Sequence, residues 1–416
     1  MKQSIVKDPS LASEGRRKID WVSRNMPILS SIRKDFESTL PFKGLKIALS
    51  IHLEAKTAHL AEVLRSGGAD IAVTGSNPLS TKDDVVAALA ETGLKVYAVH
   101  GAPLEDYHAF IHDVLDIGPD IIIDDGGDLV HVVHEERPEL LHKVMGACEE
   151  TTAGVLRDEA RERVGKLAFP VVAVNDAYCK HLFDNRYGTG QTSWEAVTRV
   201  TNLVIAGKVA VVVGYGWCGK GCAMRARGLG AEVVVCEVDP IKAVEAVMEG
   251  FRVMPMAEAA RIGDFFLTVT GCRAVITAEH AQAMKDGAVL ANAGHFFEEI
   301  SLKEIEAASV ETRDARHMVR GYRMKSGNWI YVLGEGRLVN IVCGDGHPAE
   351  IMDMSFALQA LSARYVAENR GKLPRSVKKV PDEIDYSVAR LLLSSRGISI
   401  DSLTPEQRAY LSSYAI

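Results

Sequence analysis

Cysteine is scarce and unpaired in this chain. There are seven (Cys148, Cys179, Cys218, Cys222, Cys236, Cys272 and Cys343), an odd number with no C-x-x-C spacing. That pattern argues against a disulfide framework or a thiolate zinc site, and it fits free thiols in a reducing compartment. Long apolar runs are also missing. Stretches such as Ile121–Ile123 and Val209–Val213 fall far short of the ~20 residues that span a bilayer. The start, Met1-Lys-Gln-Ser-Ile-Val-Lys-Asp8, has no signal-peptide core, so a cytoplasmic location is expected. No basic run is present, and the formal net charge is −7, which argues against partnership with nucleic acid or an anionic membrane. Proline is limited to 14 of 416 residues, with no low-complexity tract or repeat period. With 47% hydrophobic and 25% charged residues the chain is neither disordered nor fibrous, and its length predicts two to three domains.

What is present is an alternation of short β-branched runs with amphipathic helical stretches, the pattern of parallel sheets covered by helices. Leu45–Ile51, Asp70–Thr74, Lys95–Val99, Ile121–Asp124 and Pro170–Val174 read as strands of a first unit. Val209–Val213, Glu232–Cys236, Phe265–Val269, Ala288–Ala291 and Ile330–Leu333 read as a second. A polar segment, Phe183–Ser193, reads as the connection between them, followed by a helix from Trp194 to Ile205. Beyond Ala349 a long helical pattern over Ile351–Ala367 leads to a charged tail, where helices rather than another sheet are expected.

The first strand of the second unit runs into Gly214-Tyr-Gly216-Trp-Cys-Gly219, and an alanine-rich helix follows. Gly214 permits the tight turn, Gly216 lets backbone approach a pyrophosphate, and Gly219 lets helix pack on strand. The helix N-terminus then supplies N–H donors and a positive dipole. Glu237, at the tip of the next strand, suits ribose hydroxyls and repels a 2′-phosphate, so NAD is expected rather than NADP. About two hundred residues precede this unit, enough for a substrate domain.

Polar residues also gather where strands of the first unit should end: His52-Leu-Glu54-Ala-Lys56-Thr57, Asp124-Asp125-Gly-Gly-Asp128, Glu149-Glu150-Thr151-Thr152, and Asn175-Asp176 with Lys180 and Asp184-Asn185. Each alone has an ordinary structural reading as a turn, a helix cap, a core histidine or a solvated lysine. Together, ahead of a dinucleotide site, they supply the carboxylates, lysine and histidine that proton and hydride chemistry needs.

These segments, with Lys180-x-x-x-Asp184-Asn185-x-Tyr187-Gly188, Asn292-x-Gly-His295-Phe296 and Glu335-Gly-Arg-Leu-Val-Asn340 through Gly346-His347-Pro348, resemble the S-adenosyl-L-homocysteine hydrolase family, in its order and spacing from Asn25 to the C-terminus. The resemblance implies an enzyme that holds NAD as a catalyst. In such enzymes the ribose 3′-OH is oxidised, the ketone acidifies the 4′-proton, homocysteine leaves from C5′, water adds, and the ketone is reduced again. It implies Asp125 as base at C4′ and His52 as manager of leaving group and water. Lys180 and Asp184 act on the 3′-OH, Glu150 on the 2′-OH side, and His295 on the sugar or tail. Cofactor-binding positions are Thr151, Thr152, Asn185, Gly214, Gly216, Gly219, Glu237, Asn292 and Asn340. Thr57 falls with the base readers, Phe296 and His347 match a pair gating the channel, and Asn77 and Asp83 match the segment at the amino-acid end. No metal is expected in this site.

The implied fold is α/β with two doubly wound parallel-sheet domains and a small helical C-terminal tail. A substrate-binding domain covers 1–185 and 346–375, a Rossmann NAD domain covers 186–345, and 376–416 forms the tail, serving assembly into a homodimer or homotetramer. Several positions depart from the family pattern. Adenosyl enzymes carry His-x-Thr-x-Gln or His-x-Thr-x-Glu where this chain has His52-x-Glu54-x-Lys56, a pattern resembling S-inosyl-L-homocysteine hydrolases. Hypoxanthine offers an acceptor O6 and a donor N1–H, which suit Lys56 and Glu54 respectively, whereas lysine would meet adenine's amino group donor to donor. Alternatively, Glu54 and Lys56 pair with each other and leave the base to backbone groups, and the substrate is the adenosyl thioether. A less favoured reading is a dehydrogenase with net oxidation. Thr189, Ala153 and the short tail ending Tyr410-Leu-Ser-Ser-Tyr-Ala-Ile416 also differ, the last suggesting a more exchangeable cofactor.

Overall fold

The computed structural model describes residues 2–295 and 297–414, with Phe297 described by its backbone alone. Its strands, in chain order, are β1 (Lys46–Ser50), β2 (Asp70–Thr74), β3 (Lys95–Val96), β4 (Ile121–Asp124), β5 (Gly146–Glu149), β6 (Val171–Ala173), β7 (Val209–Val213) and β8 (Glu232–Cys236). There follow β9 (Arg252–Val253), β10 (Phe265–Thr268), β11 (Ala288–Asn292), β12 (Ser309–Arg316), β13 (Val319–Met324), β14 (Trp329–Leu333) and β15 (Val377–Lys379). They form two sheets, ordered β15-β6-β5-β4-β1-β2-β3 and β12-β13-β14-β11-β10-β7-β8-β9.

Both central strands are buried on both faces, which is why Ile47–Ser50 and Ala210–Val213 read as unbroken rather than alternating runs. In the first sheet the chain moves from β1 outward through β2 to β3, then crosses to place β4 on the other side of β1, all in parallel register. The second sheet does the same, outward from β7 through β8 to β9 and then back to β10. Loops leaving the carboxyl ends of β1 and β4, and of β7 and β10, therefore diverge at the point where strand order reverses and open a crevice there.

The helix Ala349–Glu368 returns to the first sheet and buries Phe356, Leu358, Ala360 and Val366 in its core. Burial of Phe356, Leu358 and Val366 contributes roughly 1.5–3 kcal/mol each. From the same helix Asp353 accepts the backbone N–H groups of Ile28 and Leu29 at 2.8 Å each, capping the helix Pro27–Thr39. Asp385, on the tail helix Asp382–Ser395, takes Tyr178 N at 2.6 Å and Cys179 N at 2.8 Å.

Several regions differ from the sequence expectation: β5, between β4 and β6, was not among the expected strands, and the helix expected to run to Ile205 stops at Thr201, where Asn202 turns left-handed. The polar segment read as a connection is helical throughout: a π-helix over His181–Gly188 passes into an α-helix over Thr189–Thr201. Asp184, Asn185 and Thr192 are buried and hydrogen-bonded within the fold, while Tyr187 and Gln191 stay exposed. The second sheet is extended by an antiparallel hairpin, β12 with β13, whose outer strand is charged and exposed and so carries no apolar signal. The tail also adds a short edge strand, β15, parallel to β6.

Candidate active site

The two crevices face one another across a cavity of about 1360 Å³. Its lining includes the ends of β1, β4, β5 and β7 together with the π-helix and the helix Ala349–Glu368.

On the side of the second sheet, Gly214 adopts φ +104°, and a Cβ on Gly216 would meet nothing within 4 Å. The helix Trp217–Gly228 starts there without a side-chain cap, so its first N–H groups are free for an anion. Gly219 lies behind the wall, where a Cβ would stand 1.9 Å from Gly214 O; it serves the packing of helix on strand. Glu237 accepts Tyr215 N and Val238 N at 2.7 Å each, which fixes its carboxylate on the cavity wall at the tip of β8. Asn340 also lines the wall, donating to Thr192 Oγ1 at 3.2 Å while its buried Oδ1 has no protein partner. An uncapped helix start, a glycine cradle and a buried carboxamide oxygen without a partner fit a dinucleotide. Asn292 is set back. It accepts Thr268 Oγ1 at 3.0 Å and Gly294 N at 2.8 Å and donates to Gly336 O at 3.0 Å, so it shapes the loop that presents His295.

On the side of the first sheet the strand ends converge. Asp125 is buried, with Oδ2 accepting Ser76 Oγ at 2.8 Å and Oδ1 without a protein partner. His52 Nε2 stands 3.6 Å from Asp125 Oδ2, and His52 Nδ1 lies 2.7 Å from Ser80 Oγ. Because Ser80 Oγ donates to Asn77 O at 2.8 Å, it accepts from His52, which leaves the lone pair on Nε2. Burial pushes the His52 imidazole below its ordinary pKa, so the ring is neutral and can take a proton. His295 closes over the turn, since a Cβ on Gly126 (φ +100°) would lie 2.5 Å from His295 Nε2.

Lys180 is the hub of a buried network. The wide π-helical turn lets it reach Asp184 Oδ2 at 3.0 Å and Asn185 Oδ1 at 2.8 Å, with Glu150 Oε1 at 3.4 Å. Burial opposes its charge, but Asp184 and Glu150 outweigh that and hold it protonated. Burial would likewise raise Asp184, yet Lys180 and His347 outweigh it and hold the carboxyl ionised. Asp184 pairs with His347 Nδ1 at 2.6 Å and accepts Ser355 Oγ at 2.7 Å. Glu150 is pushed by burial up to about 8, against the pull of Lys180. Thr152 Oγ1 and Asn185 Nδ2 both donate to Asn175 Oδ1, at 3.1 and 3.0 Å. Thr151 caps the helix Thr152–Arg163 through Gly154 N.

Glu54 and Lys56 also line the wall. They pair at 2.8 Å through Glu54 Oε2, and Lys56 Nζ also donates to Asp345 O at 3.2 Å. Thr57 Oγ1 donates to His52 O at 2.6 Å, tying the loop to the helix Ala55–Ser66. Asn77 and Asp83 are not on the cavity wall. Asp83 is engaged by His100 N at 2.7 Å and by Lys7 at 3.4 Å, which turns it toward the N-terminal segment. Phe296 lies outside the described residues.

Several site residues were not foreseen. Gln359 Nε2 donates to Glu150 Oε2 at 2.6 Å, and Ser355 serves Asp184. Both come from the helix Ala349–Glu368, where polar residues at i and i+4 inside an apolar stretch were the available signal. Buried Glu299 holds the cavity-lining turn at Thr270 and Gly271 through three acceptances, at 2.9, 2.8 and 2.8 Å. Glu149 does the same for the Asp125 turn, taking Gly126 N, Thr151 N and Thr151 Oγ1 at 2.9 Å each.

Two family models match the chain. The one for S-adenosyl-L-homocysteine hydrolase covers residues 3–141, and the one for the S-adenosyl-L-homocysteine hydrolase NAD binding domain covers residues 185–346. The adenosylhomocysteinase of Thermococcus kodakarensis is 58% identical over 413 residues, 99% of this chain and 98% of that protein. The S-inosyl-L-homocysteine hydrolase of Methanocaldococcus jannaschii is 56% identical over 406 residues, 98% of each chain. That of Methanococcus maripaludis is 55% identical over 411 residues, 99% of each. Among the described residues, no helix is long and apolar enough to cross a membrane.

Proposed function

The chain belongs to the S-adenosyl-L-homocysteine hydrolase family, whose members are NAD-dependent thioether hydrolases, and from that premise we propose that its substrate is S-inosyl-L-homocysteine, cleaved reversibly to inosine and L-homocysteine. Relatives bearing each substrate name are almost equally similar, so overall identity does not choose. Glu54 and Lys56 pair at 2.8 Å, as the alternative reading expects of them, so the pairing itself does not choose. The observation that carries the choice is their place on the cavity wall. It sets an obligate donor beside an acceptor, and hypoxanthine's O6 and N1–H can meet Lys56 and Glu54 while the two stay in contact. Adenine in the same orientation would face Lys56 donor to donor. A site whose buried polar groups lose their partners rejects the wrong substrate by about 10⁴-fold or more.

NAD, when bound, supplies reversible hydride acceptance at the ribose C3′. The chain's own residues do the rest. Lys180, cationic between Asp184 and Glu150, stabilises the 3′-alkoxide as its proton leaves toward the Asp184 carboxylate, and Glu150 holds the 2′-OH side. Once C3′ is a ketone, Asp125 Oδ1 removes the acidified C4′ proton. The C5′–S bond then breaks with its electron pair on sulfur, and the thiolate takes a proton from solvent, which is restored when His52 releases the proton it later draws from water. Water adds at C5′ with His52 Nε2 taking its proton, C4′ regains a proton from Asp125, and the ketone is reduced. Asn340 and Glu237, with Thr151, Thr152 and Asn185, hold the dinucleotide. Residues 1–185 and 346–375 form the substrate-binding domain and 186–345 the NAD domain, while the tail, with Tyr410, Leu411 and Tyr414 exposed, serves assembly of a homo-oligomer.

The test is thioether synthesis from homocysteine with inosine or adenosine. Inosine is expected to react at least a hundredfold faster, and a Glu54→Thr/Lys56→Gln variant to shift preference toward adenosine. Equal or faster reaction of adenosine with the unaltered protein overturns the assignment and leaves the adenosyl thioether as substrate.

A further inference from the structure

Away from the cavity, two helices bring three metal-ligating side chains together. His108 and His112 lie one turn apart on the helix Leu104–Leu115, so both imidazoles share a face, and Glu136 immediately follows the helix Asp128–Glu135. His108 Nε2 is 3.1 Å from Glu136 Oε1 and His112 Nε2 is 3.0 Å from Glu136 Oε2. The two rings stand with centroids 4.8 Å apart, and one ligating atom from each residue lies within 4.8 Å of the others. A tetrahedral zinc ion with bonds of roughly 2.0–2.1 Å sets its ligand atoms about 3.3 Å apart. The separations between these nitrogens and the carboxylate are already close to that spacing.

The surroundings favour a cation. Arg137, the nearest positive residue in sequence, is taken up by Asp116 at 3.0 Å and Glu139 at 2.5 Å. Asp116, Glu136 and Glu139 thus outnumber it. The cluster is partly exposed, which gives a metal an entry path and leaves room for water in the remaining coordination position. An ion pair alone would need only one histidine; here both imidazoles converge on one carboxylate.

We propose that His108, His112 and Glu136 form a binding site for a divalent transition metal of the zinc class, with two imidazole nitrogens, a carboxylate oxygen and water as ligands. The bound ion joins the helix Leu104–Leu115 to the end of the helix Asp128–Glu135. These helices also meet where Tyr107 Oη donates to Asp128 Oδ2 at 2.9 Å, so the metal is a second tie between them. The site plays no part in the reaction, because its three residues lie away from the cavity wall.

The experiment titrates Zn²⁺ into the NAD-loaded protein by calorimetry, comparing the unaltered chain with a His108→Ala/His112→Ala variant. A second trio, His52, Asp125 and His295, also brings ligand atoms within 4.8 Å, so the assignment rests on the difference between the two proteins. One equivalent per chain is expected to be lost, or to bind at least tenfold more weakly, in the double variant, with metal-free activity unchanged. Zn²⁺ should raise the thermal unfolding midpoint of the unaltered protein and not of the variant, since a ligand bound only by the folded state stabilises it. Glu136→Gln should weaken binding less than the double substitution. Equal zinc uptake and equal thermal response in both proteins, or no uptake by the unaltered chain, overturns the proposal.

Discussion

Replacing Gln359 with leucine isolates one hydrogen bond on the ionisable group at the centre of the site. Gln359 Nε2 donates to Glu150 Oε2 at 2.6 Å, while Glu150 Oε1 has no hydrogen-bond partner and Lys180 stands 3.4 Å away. The bond favours the ionised carboxylate, so its loss raises a pKa that burial already places at about 8. A hydrogen bond to a charged group is worth roughly 1.5–3 kcal/mol, and 1.36 kcal/mol corresponds to one pKa unit. The group should therefore move up by about one to two units in Gln359→Leu. The assay is kcat/KM for thioether synthesis across the pH range, which reports groups of the enzyme before nucleoside binds. The unaltered protein should show a limb near 8 that rises as Glu150 ionises, and the variant the same limb displaced to about 9–10, with rates converging at still higher pH. Glu150→Gln should abolish the limb. Linkage gives a parallel signal in stability. A carboxyl whose pKa is raised on folding contributes fully below its unfolded value of about 4.3, and the contribution is lost as pH rises through the folded value. Gln359→Leu should accordingly cost most stability above pH 8. Profiles lowered equally at every pH, with the limb unmoved, would refute the reasoning and reduce Gln359 to a packing residue.

Gly154→Ala would place a Cβ 2.1–2.4 Å from the Glu149 carboxyl group. Displacing it breaks three hydrogen bonds to Gly126 and Thr151, about 3 kcal/mol at ~1 kcal/mol each. Denaturant unfolding should show that loss together with a collapse of activity, because the Asp125 turn moves; unchanged stability would contradict the packing read here. Glu299→Gln removes one acceptor from the Thr270–Gly271 turn, and about 1–2 kcal/mol predicts roughly tenfold weaker NAD binding by fluorescence titration. With saturating NAD the variant should keep most of its kcat, and an unchanged NAD affinity would remove Glu299 from the cofactor site.

Legibility of the fold followed a simple physical division. Most buried parallel strands announce themselves as apolar runs, and the ligand-facing residues follow those strands directly, so His52, Asp125, Gly214 and Glu237 were readable as strand-end motifs, whereas Glu150 follows β5, whose Gly-Ala-Cys-Glu carries no such run. What escaped was chemistry delivered from elsewhere. Ser355 and Gln359 reach the site from a helix more than a hundred and fifty residues from Asp184 and Glu150 in sequence, and only the closed fold brings them together. The π-helix was hidden because its polar residues spell a loop until Lys180 is placed among Asp184, Asn185 and Glu150. The charged hairpin of β12 and β13 and the short edge strand β15 carry no apolar pattern for a sequence to display. His108 and His112 sit in plain view one helical turn apart, yet their meaning depends on Glu136, which the packing of two helices supplies. The same logic explains the base-reading pair. Glu54 is the extended N-cap of the helix whose first turn holds Lys56, and its carboxylate meets both the N–H and the ammonium of Lys56, a local contact made without any ligand. Their pairing is therefore uninformative about substrate; their place on the cavity wall is not, because a lysine held there can only donate, and the group it meets on a bound base must be an acceptor.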